Sequence, residues 1–156
     1  MLGLFRRKSV VDPELGELRR SRGHWRGMIS LSGSTVPLAV GGPRSRPDAE
    51  ALAAARSLPS TWAASTDAVA HALLDHLEPY RDAVTAGEVQ SPRKPLPAGP
   101  VELWASINIV SASVTSSGGQ LVSEVALTAT WDEEHTMGIR FARGTFVELN
   151  ASILPV

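Results

Sequence analysis

The sequence has no cysteine, a single tyrosine, and only 5% aromatic residues. The first absence excludes a disulfide framework, a CxxC redox centre, a thiolate zinc site and a cysteine nucleophile together. The scarcity of aromatics leaves little for a base-stacking platform, so a nucleic-acid partner is not expected. No stretch approaches the roughly 20 apolar residues of a spanning helix, so no membrane span is expected. No GxGxxG, GxxxxGK[ST] or Gly-x-Ser-x-Gly pattern occurs, so no nucleotide cofactor and no serine-hydrolase elbow are expected. The opening Met1-Leu-Gly-Leu-Phe-Arg-Arg-Lys8 puts a short apolar stretch before its charges, the reverse of a secretory signal. Residues 1–10 are therefore expected to form a solvated basic tail, and the location is expected to be cytoplasmic.

What is present is ordinary globular material. Of the 156 residues, 43% are hydrophobic and 20% charged, which fits one domain over 11–156. The net charge of −1 is unevenly spread. Arg6, Arg7, Lys8, Arg19, Arg20, Arg22 and Arg26 stand against Asp12, Glu14 and Glu17 near the start, and the remainder is acidic. The Arg19–Arg22 run is expected to be a solvated strand edge.

Periodicity gives the element order. Leu15–Leu18 reads as a short strand. Trp25–Leu31 alternates Trp25, Gly27, Ile29 and Leu31 against Arg26, Met28 and Ser30. After a Ser32–Thr35 hairpin loop, Val36–Val40 returns as a third strand. Pro37 cannot donate to a ladder, so this strand is expected at a sheet edge, where it could pair with a second copy as a homodimer. Ser45, Pro47 and Asp48 then signal a helix start, with the helix stopping at Pro59. A second helix begins at Ser65 or Thr66, and Val69, Leu73, Leu77, Tyr80 and Val84 form its buried stripe. Asp67, His71, Asp75, Glu78 and Asp82 should face water, and Pro79 should kink or split the helix. Residues 87–100, rich in proline, read as an internal loop.

The last third is β again: Val101–Val114, Leu121–Trp131, Met137–Phe141 and Thr145–Leu149. The reading is α+β, an antiparallel sheet of order β-β-β-α-α-β-β-β-β with the helices packed on one face. The expected core is Leu15, Ile29, Leu31, Val69, Leu73, Leu77, Leu103, Ile107, Val125, Leu127, Ile139 and Phe141.

The densest polar cluster is Trp131-Asp132-Glu133-Glu134-His135. On a regular strand Glu133 and His135 share one face, while Asp132 and Glu134 share the other. A catalytic reading is a small metal-assisted hydrolase centred on Glu133 and His135, with His24 as a third ligand. A metal site needs at least three convergent ligands, and no diagnostic spacing supplies them. His71 and His76, five residues apart, lie about 140° apart around a helix. The favoured expectation is no metal and no catalytic set. Asp132–Glu134 would then be a solvated turn and, with any exposed Trp131, the contact surface for a protein partner. The functional reading is a non-enzymatic protein-binding or regulatory module.

Two stretches carry a family likeness. Leu15-Gly-Glu-Leu18 with Trp25-Arg-Gly27, and Trp131-Asp-Glu-Glu134-His135-Thr-Met-Gly138, resemble bacterial domains of unknown function. That family has an FG-x-L…W-x-G start and a W-x-x-EH-x-x-G end, with Leu15 standing here where the pattern has an aromatic. The resemblance implies a small stand-alone α+β protein of the bacterial cytoplasm. It also implies a relation to small immunity-type domains that neutralise toxins by binding them. It supplies no catalytic residue.

Overall fold

The computed structural model describes residues 8–156. Four strands, β1 (Ser9–Asp12), β2 (Gly16–Ser21), β3 (His24–Leu31) and β4 (Ser34–Val40), lead into α1 (Ala49–Ala64), α2 (Thr66–Thr85) and the short α3 (Pro100–Ala105). Four more strands follow: β5 (Ile107–Ser117), β6 (Gln120–Ala129), β7 (Asp132–Ala142) and β8 (Thr145–Asn150). All eight lie in one sheet in sequence order. The fold is α+β and the sheet is mostly antiparallel.

Four strands, not three, precede the helices. The additional one, β1, pairs Ser9 with Arg19 and Val10 with Leu18, so the expected basic tail does not extend to residue 10. Residues 1–7 lie outside the described residues. One junction departs from the antiparallel pattern. β4 and β5 run parallel through Leu38–Val40 and Ala112–Val114, because a helical crossover returns the chain to the same end of the sheet.

This junction also corrects the reading of Pro37. β4 lies inside the sheet between β3 and β5, so it offers no open edge for pairing with a second copy. Pro37 is tolerated there for a local reason. The amide of Gly41 donates to the Val114 carbonyl of β5, and backbone alternation turns Ala39 and Pro37 to the same side. Pairing with β5 begins only at Leu38, so the missing donor of Pro37 costs the ladder nothing.

The helices also outrun their prolines. Pro59 lies within α1 and Pro79 within α2. Each leaves one carbonyl four residues earlier without its amide donor, but burial holds the next turn. Beyond Pro59, Trp62 is buried, and its Nε1 donates to Ser32 Oγ at 2.9 Å. Asp48 caps α1 by accepting from the Ala51 amide at 2.9 Å, whereas the Ser65 side chain makes no capping bond to α2. Val101–Ala105, expected as strand, belongs to α3, with Pro100 in its first turn.

The core lies between the helices and one sheet face. Trp25, Ile29, Leu31, Leu38, Val40, Val114, Val125, Leu127, Met137, Ile139 and Phe141 meet Ala51, Ala55, Leu58 and Trp62 of α1 and Val69, Leu73 and Leu77 of α2. Leu103 is also buried, while Leu15, Ile107 and Tyr80 are only partly so. Asp67, His71, Asp75, Glu78 and Asp82 are exposed, as their positions opposite the stripe require.

Candidate functional site

The Trp131–His135 segment owes its shape to a mismatch in strand pairing. In the β6–β7 ladder, Leu127 faces Met137 and Ala129 faces Asp132. Between those pairs β6 contributes Thr128 alone, while β7 contributes Glu133, Glu134, His135 and Thr136. The surplus must leave the plane of the sheet. The turn of the hairpin is Thr130-Trp131, and Asp132 already belongs to β7. The expected Asp132–Glu134 turn is therefore a bulged strand start, and simple strand alternation does not govern it.

The bulge decides which side chains meet. Asp132 and His135, three residues apart, come into hydrogen-bond contact, Nδ1 to Oδ1 at 2.8 Å. The other carboxylate oxygen, Oδ2, accepts from the Tyr80 hydroxyl at 2.8 Å. His76 approaches the same oxygen with Nε2 at 3.9 Å, and its Nδ1 accepts from Trp131 Nε1 at 3.2 Å. His76 and Tyr80 stand one turn apart on α2, with ring centroids 5.6 Å apart. A buried carboxylate thus joins the start of β7 to α2 through two rings of one helix face.

Burial divides the segment. Trp131 and Asp132 are each 7% exposed, so neither is a free contact surface. Glu133, Glu134 and His135 are exposed. With Tyr80, Thr130, Trp131 and Asp132 they border an open cleft of about 840 Å³, whose remaining lining is Pro92, Arg93 and Lys94 of the 87–100 loop.

The electrostatics follow from this geometry. Burial pushes the Asp132 carboxyl up, but hydrogen bonds from His135 and Tyr80 outweigh it and hold the group below the usual carboxylate value. The bond to Asp132 raises His135 above the ordinary imidazole value. Burial lowers His76, against the pull of Asp132. Burial and the adjacent carboxylate push the Tyr80 hydroxyl up to about 12, so it remains a donor across the physiological range.

The residues named from sequence do not form the catalytic set that was weighed for them. His135 pairs with Asp132, not with Glu133. His24 sits on β3, where its Nδ1 lies 3.4 Å from the Arg22 carbonyl. Among the described residues no three histidine, aspartate or glutamate side chains converge as a metal-holding group. Sequence reasoning missed His76 and Tyr80 as members of the cluster. Their signal was Tyr80, a ring with a polar tip in an otherwise aliphatic stripe, with His76 one turn before it, since a buried ring N–H or O–H requires a partner.

Over residues 14–152 the chain matches the family model described as a domain of unknown function, DUF6985, and it belongs to that family. No curated protein and no solved structure matches it.

Proposed function

We propose that this DUF6985 protein is a non-enzymatic protein-binding or regulatory module of the bacterial cytoplasm, with a contact surface of Glu133, Glu134 and His135. The observation that supports this reading is the bulge of β7. It lifts two carboxylates clear of the sheet, and among the described residues neither has a cation within ion-pair distance. Beneath them Asp132 ties the backbone to Tyr80 and His135. A surface held in this way loses little freedom on binding, and two unpaired carboxylates select a partner with a basic face. Trp131 and Asp132 then support the surface from below. An immunity-type role, in which this acidic edge covers a basic site on another protein, is the form the sequence resemblance favours.

The test is capture of partners from the source cell, followed by direct titration of each purified partner. A Glu133→Ala/Glu134→Ala variant should bind at least about tenfold more weakly, a loss of about 1.4 kcal/mol, with its thermal midpoint unchanged. Equal affinity for that variant would remove the surface from the reading.

One observation favours a second reading. A carboxylate-oriented imidazole beside a cleft is the arrangement of a general base. The small metal-assisted hydrolase considered from sequence around Glu133 and His135 would therefore use Asp132–His135 as its working pair. Metal analysis of the purified protein separates the two readings. A stoichiometric divalent ion lost on His135→Ala would favour the hydrolase.

A further inference from the structure

The parallel junction of the sheet is joined over a short stretch only, and its strands stand apart before it. β4 begins at Ser34 and β5 at Ile107, yet the two pair only through Leu38–Val40 and Ala112–Val114. Pro37 has no amide to carry the ladder back past Leu38. Across β5, the register with β6 shifts between Ile109 and Ser111, so Val110 is a bulge that bends the strand. A hollow of about 440 Å³ lies at this fork, bordered by Ser34 at one strand start and by Ile107, Asn108 and Ile109 at the other.

The helical layer supplies the rest of the wall. Buried Trp62 of α1 and half-buried Trp104 of α3 both line the hollow, their ring centroids 6.1 Å apart and their planes at 74°. Ser32 of the β3–β4 turn and Thr66 at the start of α2 complete it. Trp104 is set apart from the other tryptophans. Trp25, Trp62 and Trp131 each donate the indole N–H, to the Pro43 carbonyl, to Ser32 Oγ and to His76 Nδ1. Among the described residues, the Trp104 N–H donates to none.

Charge distinguishes the hollow as well. Other clefts of the molecule carry ionisable side chains: Glu50 and Arg143 beside α1, Arg140 and Glu148 beside β8, and Glu14 and Arg56 beside the β1–β2 turn. The polar groups of this one are the hydroxyls of Ser32, Ser34 and Thr66 and the amide of Asn108, all neutral.

We infer that this hollow is a binding site for a neutral sugar, a mono- or disaccharide. A charged ligand would give up its hydration there and meet no opposite charge. A wholly apolar ligand would strip water from the hydroxyls and the amide and return no hydrogen bond. A pyranose answers both demands. Its C–H face packs on an indole ring, whose π-face is electron-rich. Its hydroxyls donate and accept, as do the Asn108 amide and the serine hydroxyls. Ser32, whose oxygen accepts from Trp62, keeps its own O–H to give. The volume lies in the lower part of the roughly 300–1,000 Å³ range of small-molecule sites. Trp104 packs edge to face with buried Trp62, so the platform is formed before a ligand arrives and little freedom is lost on binding.

Ile107 pairs with Ala129, and Ala129 with Asp132, so the hollow lies at the end of the sheet from which the β7 bulge rises. Glu133 and Glu134 take no part in its lining, and the sugar site does not rest on the acidic contact surface.

Saturation-transfer NMR on the full chain tests the site, with methyl glucoside, methyl galactoside, maltose, cellobiose and diacetylchitobiose as probes. At least one should bind in the millimolar range, and glucuronate should not. Trp104→Ala and, separately, Asn108→Ala should each weaken that binding about tenfold or more, and the Glu133→Ala/Glu134→Ala variant should bind as wild type does. Asn108 is exposed, so Asn108→Ala should leave the thermal midpoint unchanged and carries the test if Trp104→Ala alters folding. No transfer to any of these sugars, or binding indifferent to Trp104 and Asn108, overturns the proposal. Glucuronate bound as tightly as the neutral sugars, or binding lost with Glu133 and Glu134, also overturns it. Binding of indole or p-cresol without sugar binding does the same, and assigns the hollow to an apolar aromatic ligand.

Discussion

Arg56 of α1 reaches Asp12 at the end of β1, and its Nε and Nη2 both donate to the same carboxylate oxygen, Oδ2. The other oxygen accepts the backbone amides of Glu14 and Leu15 at 3.0 and 2.9 Å. One buried carboxylate thus shapes the β1–β2 turn and fastens the edge hairpin to a helix. The bonds from Arg56, more than burial opposes, lower its pKa from 3.8 to about 2. A lowered carboxyl pKa stabilises the fold above the unfolded value, and that contribution is lost as pH falls through the folded one. Nearly two units amount to about 2 kcal/mol. Asp12→Asn should therefore lose about 2 kcal/mol in urea unfolding at pH 7, and the difference from wild type should shrink as pH falls and vanish only below pH 2. A constant difference across that range would show that the charge is not responsible.

The histidines around Asp132 should titrate on opposite sides of the ordinary imidazole value. His135, hydrogen-bonded to the carboxylate, belongs above 6.5, and buried His76 below it. The signs for stability follow. The His135 contribution is full below pH 6.5 and is lost as pH rises through its raised value. That of His76 is present above pH 6.5 and is lost as pH falls through its lowered value. NMR titration of the two rings checks this directly. In Asp132→Asn both values should move down, since the carboxylate favours the charged form of each ring. A His135 value unmoved by that substitution would deny the pair.

Tyr80→Phe isolates the link between α2 and β7. It removes the donor to Asp132 Oδ2 while keeping the ring against His76. A buried carboxylate deprived of one donor costs about 1–3 kcal/mol. Thermal unfolding should show that loss, and Glu133 and Glu134 should become more mobile, because their support is partly removed.

How much of this was legible in the sequence varies with the origin of each feature. The α2 stripe followed from spacing alone, and Val69, Leu73 and Leu77 are all fully buried. β1 escaped because Ser9-Val-Val-Asp12 is four residues long, and its reason to be a strand is the partner β2. The β4 position was misjudged for a similar reason. Proline on a strand signals an edge, and only the limited overlap with β5 makes an interior place tolerable. Residues 131–135 stood out by composition, but which of them meet depends on the bulge against β6. His76 and Tyr80 meet partners 55 and 52 residues further along the chain, so their spacing can mark them as a pair but cannot say what they meet.

Leu73 and Leu77 test the layer arrangement itself. Both are fully buried between helix and sheet, so Leu73→Ala or Leu77→Ala should cost about 2–5 kcal/mol through lost burial and the cavity left behind. Met28, on the other face of β3 and 49% exposed, is the control. Met28→Ala should stay within about 0.5 kcal/mol. Chemical denaturation of the three variants decides the matter, and a control as costly as the leucines would mean that the second face is covered at β3 as well.

That second face carries one tightly placed group, and Gly138 tests it. Glu124, 2% exposed, accepts from Arg140 Nε at 2.8 Å with Oε2 and from the Leu154 amide at 2.8 Å with Oε1. Gly138 of β7 makes room for it: a Cβ there would press into the carboxyl, 2.7 Å from Glu124 Cδ. The side chain cannot swing aside without giving up both bonds, and a buried carboxylate that loses its donors is costly. Gly138→Ala should therefore destabilise by about 1–3 kcal/mol, although alanine is otherwise no worse than glycine in a strand. The cause is separable from any backbone effect by a double-mutant cycle. In a Glu124→Ala background the obstruction is gone, and the penalty of Gly138→Ala should fall below about 0.5 kcal/mol. An equal penalty in both backgrounds would locate the constraint in the β7 backbone and not in the space that Glu124 fills.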